Sequence, residues 1–246
     1  MALKASPDDQ AMLLDLQAFD TKLAQLDHRA NNIPELGTLR QLAAETETIR
    51  LTLAEQAGTL EDVTLELKRV ESDVEIVETR IKRDSERLQA SSSVKDVAAL
   101  EQELTALRRR LGDLEEIELT VMERLEEQQS AVAQTTAQLD ALKARVAEVE
   151  GARDAALLTI TGERVTAAAG RRTIEGKLPA ELLALYEKQR SRYGTGASLL
   201  RGGVSLASGV KLLEDELQKI RAAAPDDVLI CPSSDAILVR TGESGL

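Results

Sequence analysis

The sequence predicts a mainly α fold: a long kinked antiparallel coiled-coil hairpin closed by a small C-terminal α/β module. Three observations point there. The chain has one Phe, two Tyr and no Trp among 246 residues, yet 43% of it is hydrophobic and 30% charged. That mixture suits helices with a narrow apolar seam and solvated flanks rather than a thick core rich in aromatic area. Two long arrays of apolar residues recur every seven positions, and a short polar segment lies between them.

The first array runs Leu39, Thr46, Leu53, Leu60, Leu67, Val74, Ile81 and Leu88, with a companion row at Leu42, Ile49, Gln56, Val63, Val70, Val77 and Asp84. These are the a and d positions of a heptad repeat, polar only at Thr46, Gln56 and Asp84. The second array starts at Val97, Leu104, Leu111 and Glu118 and continues to Val146, with companions from Leu100 to Val149. Between them lies Ala90 to Asp96, where Ser93 or Asp96 can cap a new helix by accepting an orphan amide. Arrays of equal length on either side of a polar break imply that the chain folds back, with Leu88 near Val97 and Ile81 near Leu104. The facing rows then extend over roughly 55 residues, or about 80 Å. A parallel homodimer would bury the same seams, but its helices would have to continue through the serine run.

Before the first array, Met12, Leu16, Phe19, Leu23 and Leu26 form a seam one residue out of phase with it. The shift falls near Pro34, which cannot donate to a helix ladder and disfavours helical geometry at Ile33, so a kink or short break is expected there. On the return helix, Gly151, Gly162, Gly170 and Gly176 are expected to loosen the segment packing beside it. A short helix over 180–192 carries Leu182, Leu183 and Tyr186 on one face and ends at Tyr193–Gly196. From about Ala197 the pattern reads as short strands at 204–206, 228–230 and 237–239 around a helix at 212–223. The domain division that follows is hairpin 1–176 with its tip at 91–96, helix and linker 177–196, and module 197–246.

The stretch Val97-Ala98-Ala99-Leu100-Glu101-Gln102-Glu103-Leu104, with Leu217-Gln218-Lys219-Ile220 and Cys231-Pro232-Ser233-Ser234-Asp235-Ala236-Ile237-Leu238, resembles a bacterial coiled-coil hairpin family ending in a four-cysteine zinc ribbon. The resemblance implies four ligand positions, which fall on Ser205, Ser208, Cys231 and Ser234; the usual knuckle glycine is Asp235. Serine hydroxyls supply neither the charge nor the softness that a structural zinc site wants, so no bound metal and no other cofactor are expected. His28, the only histidine, reads as a solvated side chain on a charged flank. A structural zinc contributes ~10–16 kcal/mol of apparent binding energy in finger-like peptides. Without it the module is expected to dock Leu206, Leu212 and Leu217 on the helices in order to fold.

Composition and motifs also bound the function. Residues 1–10 contain no apolar leader, no run of 18 apolar residues occurs, and the one cysteine rules out an internal disulfide; a cytoplasmic, non-membrane protein is expected. GxxxxGK[ST], HExxH and GxSxG are all missing from the sequence, which points away from an enzyme or a small-molecule substrate. Arg80, Lys82, Arg83, Arg87, Lys95, Arg108, Arg109 and Arg110 gather toward the tip, making it about +2 against a net charge of −12 for the chain. Flanking charge that pairs across the seam is one reading of these residues, and contact with RNA, DNA or an acidic surface is the other. The acidic balance favours a protein-binding scaffold; nucleic-acid binding through the tip or the module is the alternative. Through the resemblance, the family's links to sigma-factor, secretion and flagellar regulation, and to RNA binding, extend to both.

Overall fold

The computed structural model describes residues 3–245 and is mainly helical. Helix α1 spans Pro7–Asn31, α2 Pro34–Ala90, α3 Val94–Glu175, α4 Ala180–Tyr193 and α5 Glu214–Ala222. Five short strands accompany them: β1 Ala197–Arg201, β2 Val204–Ser205, β3 Val210–Lys211, β4 Leu229–Ile230 and β5 Ile237–Val239. No helix among the described residues is long and apolar enough to cross a membrane.

Local signals set the helix ends. Ser6 Oγ accepts from the Asp9 amide at 3.1 Å, Pro7 opens α1, and Asp8 and Asp9 sit in its first turn, where the helix dipole favours them. The helix stops before Pro34, as the ring requires. At the tip, Ser93 Oγ accepts from the Asp96 amide at 3.5 Å and starts α3. The glycines expected to loosen the return helix do not interrupt it: α3 runs through Gly151, Gly162 and Gly170. At Gly170 the reason is close approach, because an added Cβ would lie 2.4 Å from the Phe19 ring.

The chain groups into two compact units, residues 35–151 and residues 1–34 with 152–246. In the first, α2 and α3 pair along the predicted rows. Leu42, Val63, Leu100, Leu104, Leu114, Val121, Leu139 and Leu142 are buried, while Leu53, Leu60, Leu67 and Val74 are half-buried. Half-burial is what a two-helix seam can offer, since no third layer covers it. The register is marked by Arg80 with Glu103 at 2.5 Å and by Arg124 with Glu66 at 3.0 Å.

The second unit holds both termini, a different division from one that sets 1–176 against 197–246. Its sheet has the order β3-β2-β1-β5-β4, with β1 parallel to β5 and the other pairs antiparallel. Strand β1, which sequence patterning did not reveal, is the centre of this sheet. Ile237 and Val239 of β5 pack with Leu13, Leu16, Leu182, Tyr186, Ala197 and Val228. Leu238 points the other way, into a cluster of Leu200, Leu212, Leu217, Ile220 and Cys231. Alternate side chains of one strand thus serve two small cores.

The expected docking residues therefore need correction. Leu212 and Leu217 belong to the module's own core, and Leu206 is 55% exposed. The module meets α1 and α4 through Ala197, Val228, Ile237 and Val239 instead. The predicted helix at 212–223 also starts later, at Glu214, because the Leu213 amide donates to Glu216 Oε2 at 2.9 Å and so caps it.

Two ties hold this unit together. The Arg240 guanidinium donates to the carbonyls of Ile220, Ala223, Ala224, Pro225 and Asp227 at 2.6–3.3 Å, bracing the chain between α5 and β4. The N-terminal segment pairs with the same stretch: Ala5 N to Asp226 O at 2.9 Å and Val228 N to Leu3 O at 3.0 Å. An isolated fragment of residues 195–246 would lose α1, α4 and residues 3–5, and would leave one face of β5 bare. We expect it to remain unfolded; a cooperative thermal transition in that fragment by circular dichroism would contradict this.

Candidate functional site

Two places carry the sequence-predicted residues. The first is the inner corner of the C-terminal module. Ser205 comes from β2, Cys231 follows β4, and Ser234 lies in the turn between β4 and β5. Cys231 and Ser205 have no solvent-exposed surface. A polar chain leads in from the edge: the Ala207 amide donates to Ser198 Oγ at 2.7 Å, and Ser198 and Ser205 hydroxyls lie 3.3 Å apart. Burial pushes the Cys231 thiol up, but the hydroxyls of Ser205 and Ser234 and the amides of Ser233 and Ser234 outweigh it, leaving the thiol below its usual range. The turn is fixed by Cys231 N to Ala236 O at 2.8 Å and Asp235 N to Cys231 O at 2.9 Å. Asp235 stands there at φ 55°, in the left-handed region that favours glycine.

Ser205, Cys231 and Ser234 are thus brought together. Ser208 is not shown with them, and its hydroxyl is used locally, accepting from the Val210 amide at 3.2 Å. Among the described residues, no group of three His, Cys, Asp or Glu side chains is arranged to hold a metal ion. One thiol with neutral hydroxyls does not fit zinc. What the arrangement can do is cage a buried thiol and close a small core.

The second place is the hairpin tip. Here Arg80, Arg83 and Arg87 do not stand free. They surround Asp84, which occupies a seam position and has no exposed surface, at 3.9, 3.5 and 3.2 Å. Arg80 also reaches Glu103. Lys95, Arg108, Arg109 and Arg110 are exposed. Asp84 is therefore a buried charge whose partners keep most of their own hydration. Replacing a whole buried ion pair by apolar residues is commonly neutral or stabilising by ~1–4 kcal/mol, and here removing Asp84 alone strands no buried charge because the three arginines are more than half exposed. We expect Asp84→Leu to raise the unfolding midpoint in denaturant. A lowered midpoint would show that the carboxylate stabilises the hairpin rather than specifying its register.

A third constellation escaped the sequence reading. Asp20 on α1 accepts from Arg171 of α3 at 2.7 Å, from Arg190 of α4 at 3.2 Å and from the Tyr186 hydroxyl at 2.6 Å. Glu187 bridges both arginines, and Gln17 Oε1 accepts from the Gly196 amide at 2.8 Å and from the Tyr186 hydroxyl at 3.2 Å. Burial and the Asp20 carboxylate raise the Tyr186 pKa; burial by itself would lower that of Arg171, but its bonds to Asp20, Glu187 and Glu175 together outweigh burial and raise it. Gln10, Leu13, Leu16 and Asp20 recur on one face of α1, a spacing that could have flagged the two polar members as buried. This network joins α1, α3, α4 and the start of β1.

Residues 16–194 match the model of the CT398-like coiled coil hairpin domain. The chain belongs to the CT398-like coiled coil hairpin family. An uncharacterised protein of Mycobacterium tuberculosis is 35% identical over 97% of this chain and 98% of its own length. An uncharacterised protein of Mycobacterium leprae is 27% identical over 90% and 96%. A solved structure from Mycobacterium smegmatis matches with a TM-score of 0.87 at 35% identity, over 97% of this chain and 100% of that one. CT398 of Chlamydia trachomatis shares the fold at a TM-score of 0.65 and 18% identity, covering 94% and 97%. Within the CT398-like family, the matched region ends at residue 194, just before β1, so the thiol cage lies beyond it and the Asp20 network is bridged by residues inside it.

Proposed function

We propose that this chain is a non-enzymatic, cytoplasmic scaffold that binds protein partners, in the regulation of transcription or of a macromolecular assembly, and works without a metal or other cofactor. The observation that carries the reading is an apolar surface on the C-terminal module. Leu206, Val210 and Leu213 are 55%, 51% and 66% exposed, on the β2–β3 hairpin and at the entry to α5. Strand β3 is an outer strand of the sheet, with one side unpaired. Apolar side chains beside an open strand edge suit a partner that covers them.

The test is affinity capture from the native cytoplasm with the full chain and with a Leu206→Ser, Val210→Ser, Leu213→Ser variant. A protein retained in stoichiometric amount by the first and lost by the second is expected. Retention unchanged by the substitutions would count against this surface. Truncation at Ala197 is a poorer control, because it strips the core shared with α1 and α4.

A second reading is nucleic-acid binding at the tip, favoured by one observation: Arg108, Arg109 and Arg110 are consecutive and all exposed. Phosphate contacts would give a steep fall of affinity with salt. Charge reversal at the three arginines should then abolish binding to mixed RNA, and a shallow salt dependence would remove the reading.

A further inference from the structure

Helix α3 carries an outward face that the rest of its unit leaves bare. Over 152–175 its inner side meets α1: Ile160 and Ala167 are buried, Lys22 holds Glu163 at 3.1 Å, and Asp27 holds Arg164 at 2.9 Å. On the opposite side two rows recur every seven residues, Ala155, Gly162 and Ala169 in one, Leu158 and Val165 in the other. This is heptad spacing, with small residues in one row and larger ones in its companion. Leu158 is 75% and Val165 63% exposed. Along the flank, Thr159, Thr166 and Thr173 donate their hydroxyls to the carbonyls of Ala155, Gly162 and Ala169 at 3.0, 3.1 and 3.0 Å. A covering surface would therefore strand no donor there. The chain's own packing does not account for Gly162. Phe19 crowds Gly170, whereas nothing lies within 4 Å of a Cβ placed on Gly162. A glycine inside a helix costs stability, and its use is to admit a close approach from outside.

We propose that this face joins two copies of the chain in a weak antiparallel dimer, about a two-fold axis passing between Gly162 and Val165. Self-complementarity picks the occupant. In an isologous pair each row lies over the companion row of the other copy. Leu158 then sits over Ala169 of the partner subunit and Val165 over Gly162 of the partner subunit, and the reverse, so each large side chain meets a small one. The same register brings Asp154 level with Arg172 of the partner subunit on the same flank, twice by symmetry. Asp154 is 66% exposed and Arg172 is exposed, so both are open to such a contact.

The remaining charges do not oppose this register. Between Asp154 and Arg171 the sequence has only Glu163 and Arg164, both engaged with α1. Glu175, the next acid along the helix, is bound to Arg171 of its own chain at 2.7 Å. A parallel pair would instead set Asp154 on Asp154, Arg172 on Arg172 and Gly162 on Gly162, which combines like charges with an unfilled gap. One helix face of about five turns is small against a standard interface, so the pairing is weak, with a Kd on the order of 100 µM. This inference goes beyond the scaffold reading and does not depend on it, since the module can retain a partner whether or not copies pair.

The experiment is sedimentation velocity of the full chain from about 10 µM to about 1 mM, at about 0.15 M salt. The parent is expected to move from monomer toward dimer as concentration rises. Gly162→Leu adds apolar surface but fills the space that Val165 of the partner subunit needs, and should weaken association by roughly tenfold or more. Non-specific hydrophobic association would grow instead. Asp154→Arg and Arg172→Asp each set like charges opposite one another and should weaken self-association by roughly fivefold, whereas an equal mixture of the two variants restores both opposite-charge pairs and should associate as the parent does. The substituted side chains are exposed and outside the Asp20 network, and helical circular dichroism checks that each variant keeps its fold. A parent that stays monomeric, a Gly162→Leu variant that pairs as well as the parent, or a mixture no better than its components would each overturn the inference.

Discussion

Replacing Asp20 by alanine is expected to cost the chain about 3–5 kcal/mol, the range observed when one member of a buried ionic group is removed. The carboxylate is 8% exposed and satisfies Arg171, Arg190 and the Tyr186 hydroxyl at once. Its loss leaves the Arg171 side chain, 14% exposed, with Glu187 and Glu175 alone, and leaves the Tyr186 hydroxyl with only Gln17. At roughly 2–4 °C per kcal/mol for a chain of this size, the melting temperature should fall by roughly 6–20 °C. A fall of under about 2 °C would mean that the network is dispensable. Tyr186→Phe removes one hydroxyl with its contacts to Asp20 and Gln17 and should cost less, about 1–3 kcal/mol. It also gives a pH signature. The fold favours the neutral phenol, so its pKa is raised, and that contribution to stability is fully present below about pH 10 and lost as pH rises above it. The parent chain should therefore lose stability above about pH 10 more steeply than the Tyr186→Phe variant. Parallel curves would show that Tyr186 does not sense pH in this way.

The second large effect is a gain. Converting Ser205, Ser208 and Ser234 to cysteine beside Cys231 is expected to create a site that takes one zinc ion, because three hydroxyls become thiolates of the right softness. Structural zinc of this kind contributes ~10–16 kcal/mol of apparent binding energy, so the variant's unfolding should become strongly sensitive to chelator. The parent chain should hold no stoichiometric zinc and should melt at the same temperature with or without chelator. Elemental analysis decides both. Stoichiometric zinc in the parent would sink the proposal of a cofactor-free module, and none in the triple variant would show that Ser208, engaged with the Val210 amide, cannot swing into place.

How much of this was legible beforehand differs by element. The heptads of α2 and α3 announced themselves because one long periodic seam needs no knowledge of its partner; Leu42, Val63, Leu104 and Val121 are buried where the rows place them. The break at Pro34 and the cap at Ser93 were legible for the same local reason. Strand β1 was not, since Ala197–Arg201 is buried between strands and carries no alternation to read. The Asp20 network was hidden because its members are scattered over residues 17–196, and no local pattern pairs Asp20 with Arg171, Tyr186 and Arg190.

By itself, then, the sequence determined the long helices, the break at Pro34, the cap at Ser93 and the seam that pairs α2 with α3. Those features depend on spacing and capping along the chain. Only the tertiary structure decided which residues join the module to α1 and α4, that Leu206 stays in solvent while Leu212 and Leu217 fill a core of their own, and that the tip arginines surround Asp84. Burial is a property of what lies across a contact, and a one-dimensional pattern does not record what lies across.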